Sequence, residues 1–198
     1  MSREVIELIR EMDSEQIEKQ LIMQCAPLIV GLRISNLFIV NNGEMRKIRA
    51  LLMNRPIHYY VLYKDEQKST ILLYNREKLS AYLCEKSCQI FLAKMGYTDF
   101  RLLGILWKFR MRYQSYREGQ MDFPHELGLI LGYPMEDVLG YIENDGKNSL
   151  YTGYWKVYYH VAQKRHLFQL FEIAKETLIQ LSSNGVGLTE ILEVYSGI

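Results

Sequence analysis

Apolar positions along the chain change period several times, and the changes mark its elements. Val5, Ile6 and Ile9, then Ile17, Leu21 and Ile22, recur at helical spacing over residues 1–24. Asp13 or Ser14 can cap the second of these helices. Pro27 interrupts the pattern, and residues 31–40 turn extended and apolar, with Leu37, Phe38, Ile39 and Val40 the best strand formers. Asn41-Asn42-Gly43 is a turn signal. Met45, Ile48, Leu51 and Leu52 then share a helical face opposite Arg46, Lys47 and Arg49. Residues 57–63 and 70–74 are apolar on both alternations and are joined by the polar run 64–69, which reads as a hairpin loop. Strands of this kind belong inside a sheet covered on both sides, so the hairpin is expected at the centre of the core, with Val61 and Leu72 both buried. A helix over residues 44–54 would make the strands near residues 38 and 60 a right-handed crossover unit.

Helical periods dominate the rest. Asn75 can cap a helix running to about Lys94, ended by Gly96, and a second helix spans residues 99–116 with Leu102, Leu103, Leu106, Trp107 and Met111 in its apolar stripe. Two short helices follow, each announced by the word aromatic-Pro-x-Glu, at Phe123 to Glu126 and at Tyr133 to Glu136, with a break at Gly132. Proline suits the first helical position, and acids suit the first turn. A strand candidate at residues 154–159 precedes a long helix over 162–181 and a short one over 188–194. The expected fold is therefore α+β: a small mixed sheet over residues 37–41, 57–63 and 69–74, with 154–159 as a candidate fourth strand, covered by helices. No Pro/Gly/Ser-rich linker divides the chain, so residues 1–198 are expected to form a single globular domain.

Composition narrows the setting. Hydrophobic residues make up 48% and charged residues 24% of the chain, a globular mix that excludes wholesale disorder. Fifteen tyrosines against seven phenylalanines suit a core margin or the wall of a ligand cleft, because tyrosine joins an apolar body to a polar tip. Acids interrupt every short apolar run of the N-terminus, and three cysteines do not make a disulfide framework. A cytoplasmic protein with no membrane association is expected. The net charge is +1, so no global field recruits nucleic acid. Arg101, Lys108 and Arg112 do share one helical face that could track phosphates, but helical aromatics are usually core and Glu118 ends the basic run.

Four segments carry candidate chemistry. His125 and Glu126 fall in the first turn of a short helix, where exposed side chains and free backbone N–H groups could meet an anion or oxyanion. Cys25 ends a helix near Arg33; a thiol beside positive charge can be held as thiolate, and a histidine could activate it. Residues 143–148, with Gly146, Lys147 and Asn148, form a polar loop whose N–H groups can make an anion nest. Cys84 and Cys88 stand four apart on one helix and read as a core stripe, His58 as a hydrogen-bonded core histidine, and His160 and His166 as exposed. There is no nucleotide fingerprint and no zinc-finger spacing, so no cofactor is expected.

The Cys25-Ala-Pro segment with Gly31, Arg33 and Asn36-Leu37-Phe38, together with Phe123-Pro-His-Glu-Leu-Gly128, Leu131-Gly-Tyr-Pro134, Glu136-Asp-Val138, Gly146-Lys-Asn148 and Gly153-Tyr-Trp-Lys-Val-Tyr158, resembles an uncharacterised bacterial family of unknown function. The resemblance spans most of the chain and implies no activity. It points to Cys25, Arg33, His125, Glu126, Lys147, Asn148 and Lys156 as the site. Lysine is the family's usual residue at the position of Arg33, which preserves charge but changes donor geometry. Two readings remain open. One is a non-catalytic binding or regulatory domain that recognises a small anionic ligand or a protein partner through Arg33, His125, Lys147, Asn148 and Lys156. The other is a cysteine-dependent acyl- or thiol-transfer enzyme with Cys25 as nucleophile, His125 as base, and Glu126 or Asn148 orienting it. A metal held by His125 and Glu126 is a third.

Overall fold

The computed structural model describes residues 17–195; the expected helix around Val5 and Ile9 and the Asp13 and Ser14 caps lie outside them. The first described helix, α1 (Ile17–Ile29), runs through Pro27 rather than stopping there. Pro27 sits in the last turn, so its missing N–H costs one bond near an end already due. Gly31, at φ +78°, then turns the chain out. Strand β1 (Ser35–Asn41), a 3-10 turn over Asn42–Glu44, helix α2 (Met45–Leu52), strand β2 (Ile57–Lys64) and strand β3 (Lys68–Asn75) follow.

β3 lies between the other two strands and pairs antiparallel with both. β1 and β2 thus point the same way, as a crossover requires, but β3 is inserted between them. Every hydrogen-bonded pair is antiparallel, where a mixed sheet was expected. β3 is the strand buried on both faces: Ser69 to Tyr74 are all inside. Ile71 and Leu73 enter a core layer with α1, α2 and the last two helices, while Leu72 and Tyr74 enter the opposite layer, the period-2 alternation of a central strand. β2 is an edge strand. A register shift between Val61 and Tyr63 accompanies complete burial of Leu62, leaving Val61 half-buried and His58 exposed against Tyr74. Leu72 is buried as expected and Val61 is not.

Helices α3 (Arg76–Leu83), capped by the Asn75 side chain on the Lys78 N–H, and α4 (Lys86–Lys94) are separate where one helix was expected. The break at Cys84 and Glu85 puts Cys84 outside and Cys88 inside, so the two do not form one stripe. Helix α5 (Leu102–Arg117) buries Ile105, Leu106, Phe109 and Tyr113 against the sheet, which leaves Leu103, Trp107 and Met111 of the expected stripe exposed. Three bases on or beside it are engaged: Arg101, just before the helix, pairs with Asp99, Arg112 pairs with Glu126, and Arg117 stacks 4.6 Å from the Tyr63 ring centre.

Helices α6 (Leu127–Ile130) and α7 (Met135–Glu143) are distinct, broken at Gly132 with φ +71°. Residues 154–159 stand apart from the three-stranded sheet. Their strand β5 (Lys156–Val157) pairs with β4 (Tyr151–Thr152) as a two-stranded ribbon. The ribbon packs Trp155 and Val157 on Phe168 and Phe171 of α8 (Val161–Ser183). Gly153 allows this, since a Cβ there would stand 2.4 Å from the Phe168 ring. Helix α9 (Leu188–Tyr195) closes the layer that contains α1.

Candidate functional site

A cavity of about 260 Å³ opens between α6, α7 and the ribbon. Five rings wall it: Phe123, His125, Tyr133, Tyr141 and Trp155. Leu127, Leu131 and Val138 supply its apolar interior, and Lys156 stands among the lining residues. The rings fall into two sets. Phe123 meets His125 edge-on at 5.5 Å, His125 lies 5.8 Å from Tyr141, and Tyr133 stacks on Trp155 at 4.8 Å and 24°, all within the favourable range for aromatic pairs.

Asp137 ties the ribbon to α7. Its carboxylate is buried and accepts three hydrogen bonds, from the Trp155 indole N–H at 2.8 Å and from the backbone N–H groups of Tyr158 at 2.8 Å and Tyr159 at 3.2 Å. Those donors meet its charge, so it is a fixture of the wall. Gly140 lets helix and ribbon meet closely: a Cβ there would stand 2.6 Å from the Tyr158 ring. Tyr133 is held by the Tyr82 hydroxyl on its carbonyl and by the Arg33 guanidinium, 5.7 Å from its ring centre.

His125 is partly buried, where full exposure was expected, and no described residue bonds its buried Nδ1. Buried polar atoms are almost always paired, so an unpaired nitrogen on a cavity wall is the outstanding polar feature here. Two of the N–H groups expected to be free at this turn are engaged: those of Leu127 and Gly128 bond the carbonyls of Pro124 and His125 at 2.9 and 3.1 Å. Glu126 is fully buried, contrary to expectation, and faces away toward α5: its Oε1 accepts from Arg112 Nε and from the Tyr97 hydroxyl. It anchors the turn that presents His125. Among the described residues, no group of three or more His, Cys, Asp or Glu could hold a metal ion.

Lys156 donates to the Gly146 carbonyl and lies 5.8 Å from the Tyr141 ring centre. The loop after α7 makes this possible. Asp145, Gly146 and Asn148 all take positive φ, and a Cβ on Gly146 would stand 2.9 Å from the Tyr141 ring. Asn148 bonds Asn144 at 3.4 Å and Lys147 is exposed; both shape or flank the loop and neither lines the cavity.

Cys25 lies on the other side of the sheet. It packs in the layer of α1, Ile71 and Leu73, whereas Leu127 and Val138, which line the cavity, belong to the layer of Leu72 and Tyr74. Burial pushes its thiol up to about 12, against smaller lowering effects of the Asn36 amide, 3.3 Å from the sulfur, and of Arg33. A protonated thiol across the sheet from His125 forms no nucleophile–base pair. Of the residues expected at the site, the structure brings His125 and Lys156 together, sets Arg33 and Glu126 behind the wall, and leaves Cys25 apart.

The profile of the family described as protein of unknown function (DUF3793) matches residues 21–192. The chain belongs to DUF3793. Comparison with curated proteins found no match, and comparison with solved structures found none. Sequence reasoning on this DUF3793 chain singled out charged and polar residues and missed Phe123, Tyr133, Asp137, Tyr141 and Trp155. Four of these stand inside the characteristic words, in Phe-Pro-His-Glu, Gly-Tyr-Pro, Glu-Asp-Val and Gly-Tyr-Trp-Lys. Tyr141 carries one signal: it follows Asp137 by one helical turn and so shares its face.

Proposed function

We propose that this protein is a non-catalytic binding domain whose ligand occupies the five-ring cavity between α6, α7 and the ribbon. The observation that carries the reading is the His125 Nδ1, buried on the cavity wall with no partner among the described residues. An apolar, aromatic-walled pocket with few polar groups is the usual form of a small-molecule site. Leaving such a nitrogen unpaired costs stability unless something bonds it. The cysteine-enzyme reading loses its support because Cys25 and the cavity lie in opposite layers.

The test is a thermal-shift screen of small metabolites on the wild type and on His125→Ala. Compounds that raise the wild-type melting temperature, and that lose this effect in a His125→Ala variant of unchanged intrinsic melting, support the reading. Hits that bind His125→Ala as well per folded molecule would make His125 a structural residue and refute it.

A further inference from the structure

The cavity's chemistry restricts what can fill it. Its rings offer faces and edges at the 4.5–7 Å spacings that a further ring can join, and the aliphatic side chains of Leu127, Leu131 and Val138 line it beside them. A volume of about 260 Å³ lies just below the usual range for ligand pockets, roughly 300–1,000 Å³, which limits the occupant to one or two rings. Two lining groups can address a polar substituent: the unpaired His125 Nδ1, and the Lys156 ammonium, which spends one of its three N–H donors on the Gly146 carbonyl. Asp137 has little acceptor capacity left, because its two oxygens already take three N–H donors. Its charge also opposes a dianion, so a single negative charge suits the site.

We infer that the cavity takes a flat aromatic monocarboxylate of one or two rings, its ring among Tyr133, Tyr141 and Trp155 and its carboxylate between Lys156 and His125. This rests on the binding reading above and names its ligand class. His125 donates from Nδ1 in the corresponding tautomer, which satisfies the orphaned nitrogen. Lys156 supplies a charge-assisted bond.

Four probes of similar bulk test the assignment by calorimetric titration: 2-naphthoate, 2-naphthalenemethanol, 2-naphthylmethylammonium and decanoate. The expected order places 2-naphthoate first. Lys156→Met weakens its binding about tenfold or more, the worth of one charge-assisted bond, and leaves 2-naphthalenemethanol within about threefold of its wild-type affinity. Lys156 is exposed, so water can replace its bond to the Gly146 carbonyl in the variant, whose melting temperature is measured alongside. Tighter binding of the ammonium or the alcohol overturns the anionic assignment, and tighter binding of decanoate overturns the aromatic one. An equal loss for carboxylate and alcohol in Lys156→Met overturns the role of the lysine charge. No binding by 2-naphthoate overturns the ligand class, while His125-dependent hits in the metabolite screen would still uphold the cavity as a binding site; the two failures are therefore distinguishable.

Discussion

Replacing Arg112 by methionine tests how the turn that presents His125 is held. Glu126 is 0% exposed, and its ionised partner Arg112 keeps its side chain 26% exposed. The substitution preserves the length of the apolar stem and removes the guanidinium, which leaves the carboxylate with one neutral donor, the Tyr97 hydroxyl at 3.1 Å. Removing one partner of a buried pair costs about 3–5 kcal/mol. Water can reach the vacated site because Arg112 is partly exposed, so the lower end, about 3 kcal/mol, is expected. For a chain of this size that lowers the melting temperature by roughly 6–12 °C. Adding Glu126→Gln removes the stranded charge and keeps an acceptor for Tyr97, so the double variant recovers to within about 1–2 kcal/mol of the wild type. Urea unfolding followed by circular dichroism, with unchanged m-values, gives all four corners of the cycle. A loss under about 1 kcal/mol in Arg112→Met, or a double variant no better than the sum of the singles, would show that the pair does not anchor the turn.

Other outcomes follow from the same contacts. Asp137→Asn turns an amide NH₂ toward N–H donors that a carboxylate accepts, and should cost about 1–3 kcal/mol in urea unfolding; a change within about 0.5 kcal/mol would show that the ribbon is held some other way. Leu72→Ala on the central strand should cost about 2–4 kcal/mol and Val61→Ala on the edge strand about 1 kcal/mol, and equal losses would contradict the strand order. In the native protein a thiol reagent at pH 8 should label exposed Cys84 rapidly and leave Cys25 protected. Because folding raises the Cys25 thiol from about 9 to about 12, the unfolded chain binds fewer protons between those values. Its contribution to stability is therefore complete below pH 9 and is lost as pH rises from 9 to 12. A flat stability curve across that window, after correction with a Cys25→Ala variant, would refute the shift.

Much of the fold was legible because its signals are local. The Asn75 cap, the break at Gly132 and the dense run of residues 69–74 each follow from a few neighbouring residues. Strand order was not legible: residues 57–63 and 70–74 are almost equally apolar, and only long-range pairing makes one central and the other an edge. The same limit applied to α5, where apolar residues surround the helix, so periodicity alone could not separate buried Ile105 and Phe109 from exposed Leu103 and Trp107. At the site, His125 and Lys156 were visible as polar residues in unusual words. Glu126 was misplaced because an acid in a first turn reads as exposed unless its partner, Arg112 on a different helix, is known. The ring wall stayed hidden because Tyr133 and Trp155 meet only when the ribbon folds back on α7, and no local spacing encodes that.

The central claim is that the cavity binds a small ligand, and the two tryptophans provide its most direct test. Trp155 is 9% exposed and lines the cavity, whereas Trp107 is 58% exposed on α5. In a proton–nitrogen correlation spectrum of the ¹⁵N-labelled protein, each indole N–H gives its own signal. Titration with 2-naphthoate should move the Trp155 indole signal, whose N–H is bonded to Asp137, and leave the Trp107 signal in place. Movement of the Trp107 signal alone, or of neither at a 2-naphthoate concentration that calorimetry shows to saturate the protein, would contradict the account.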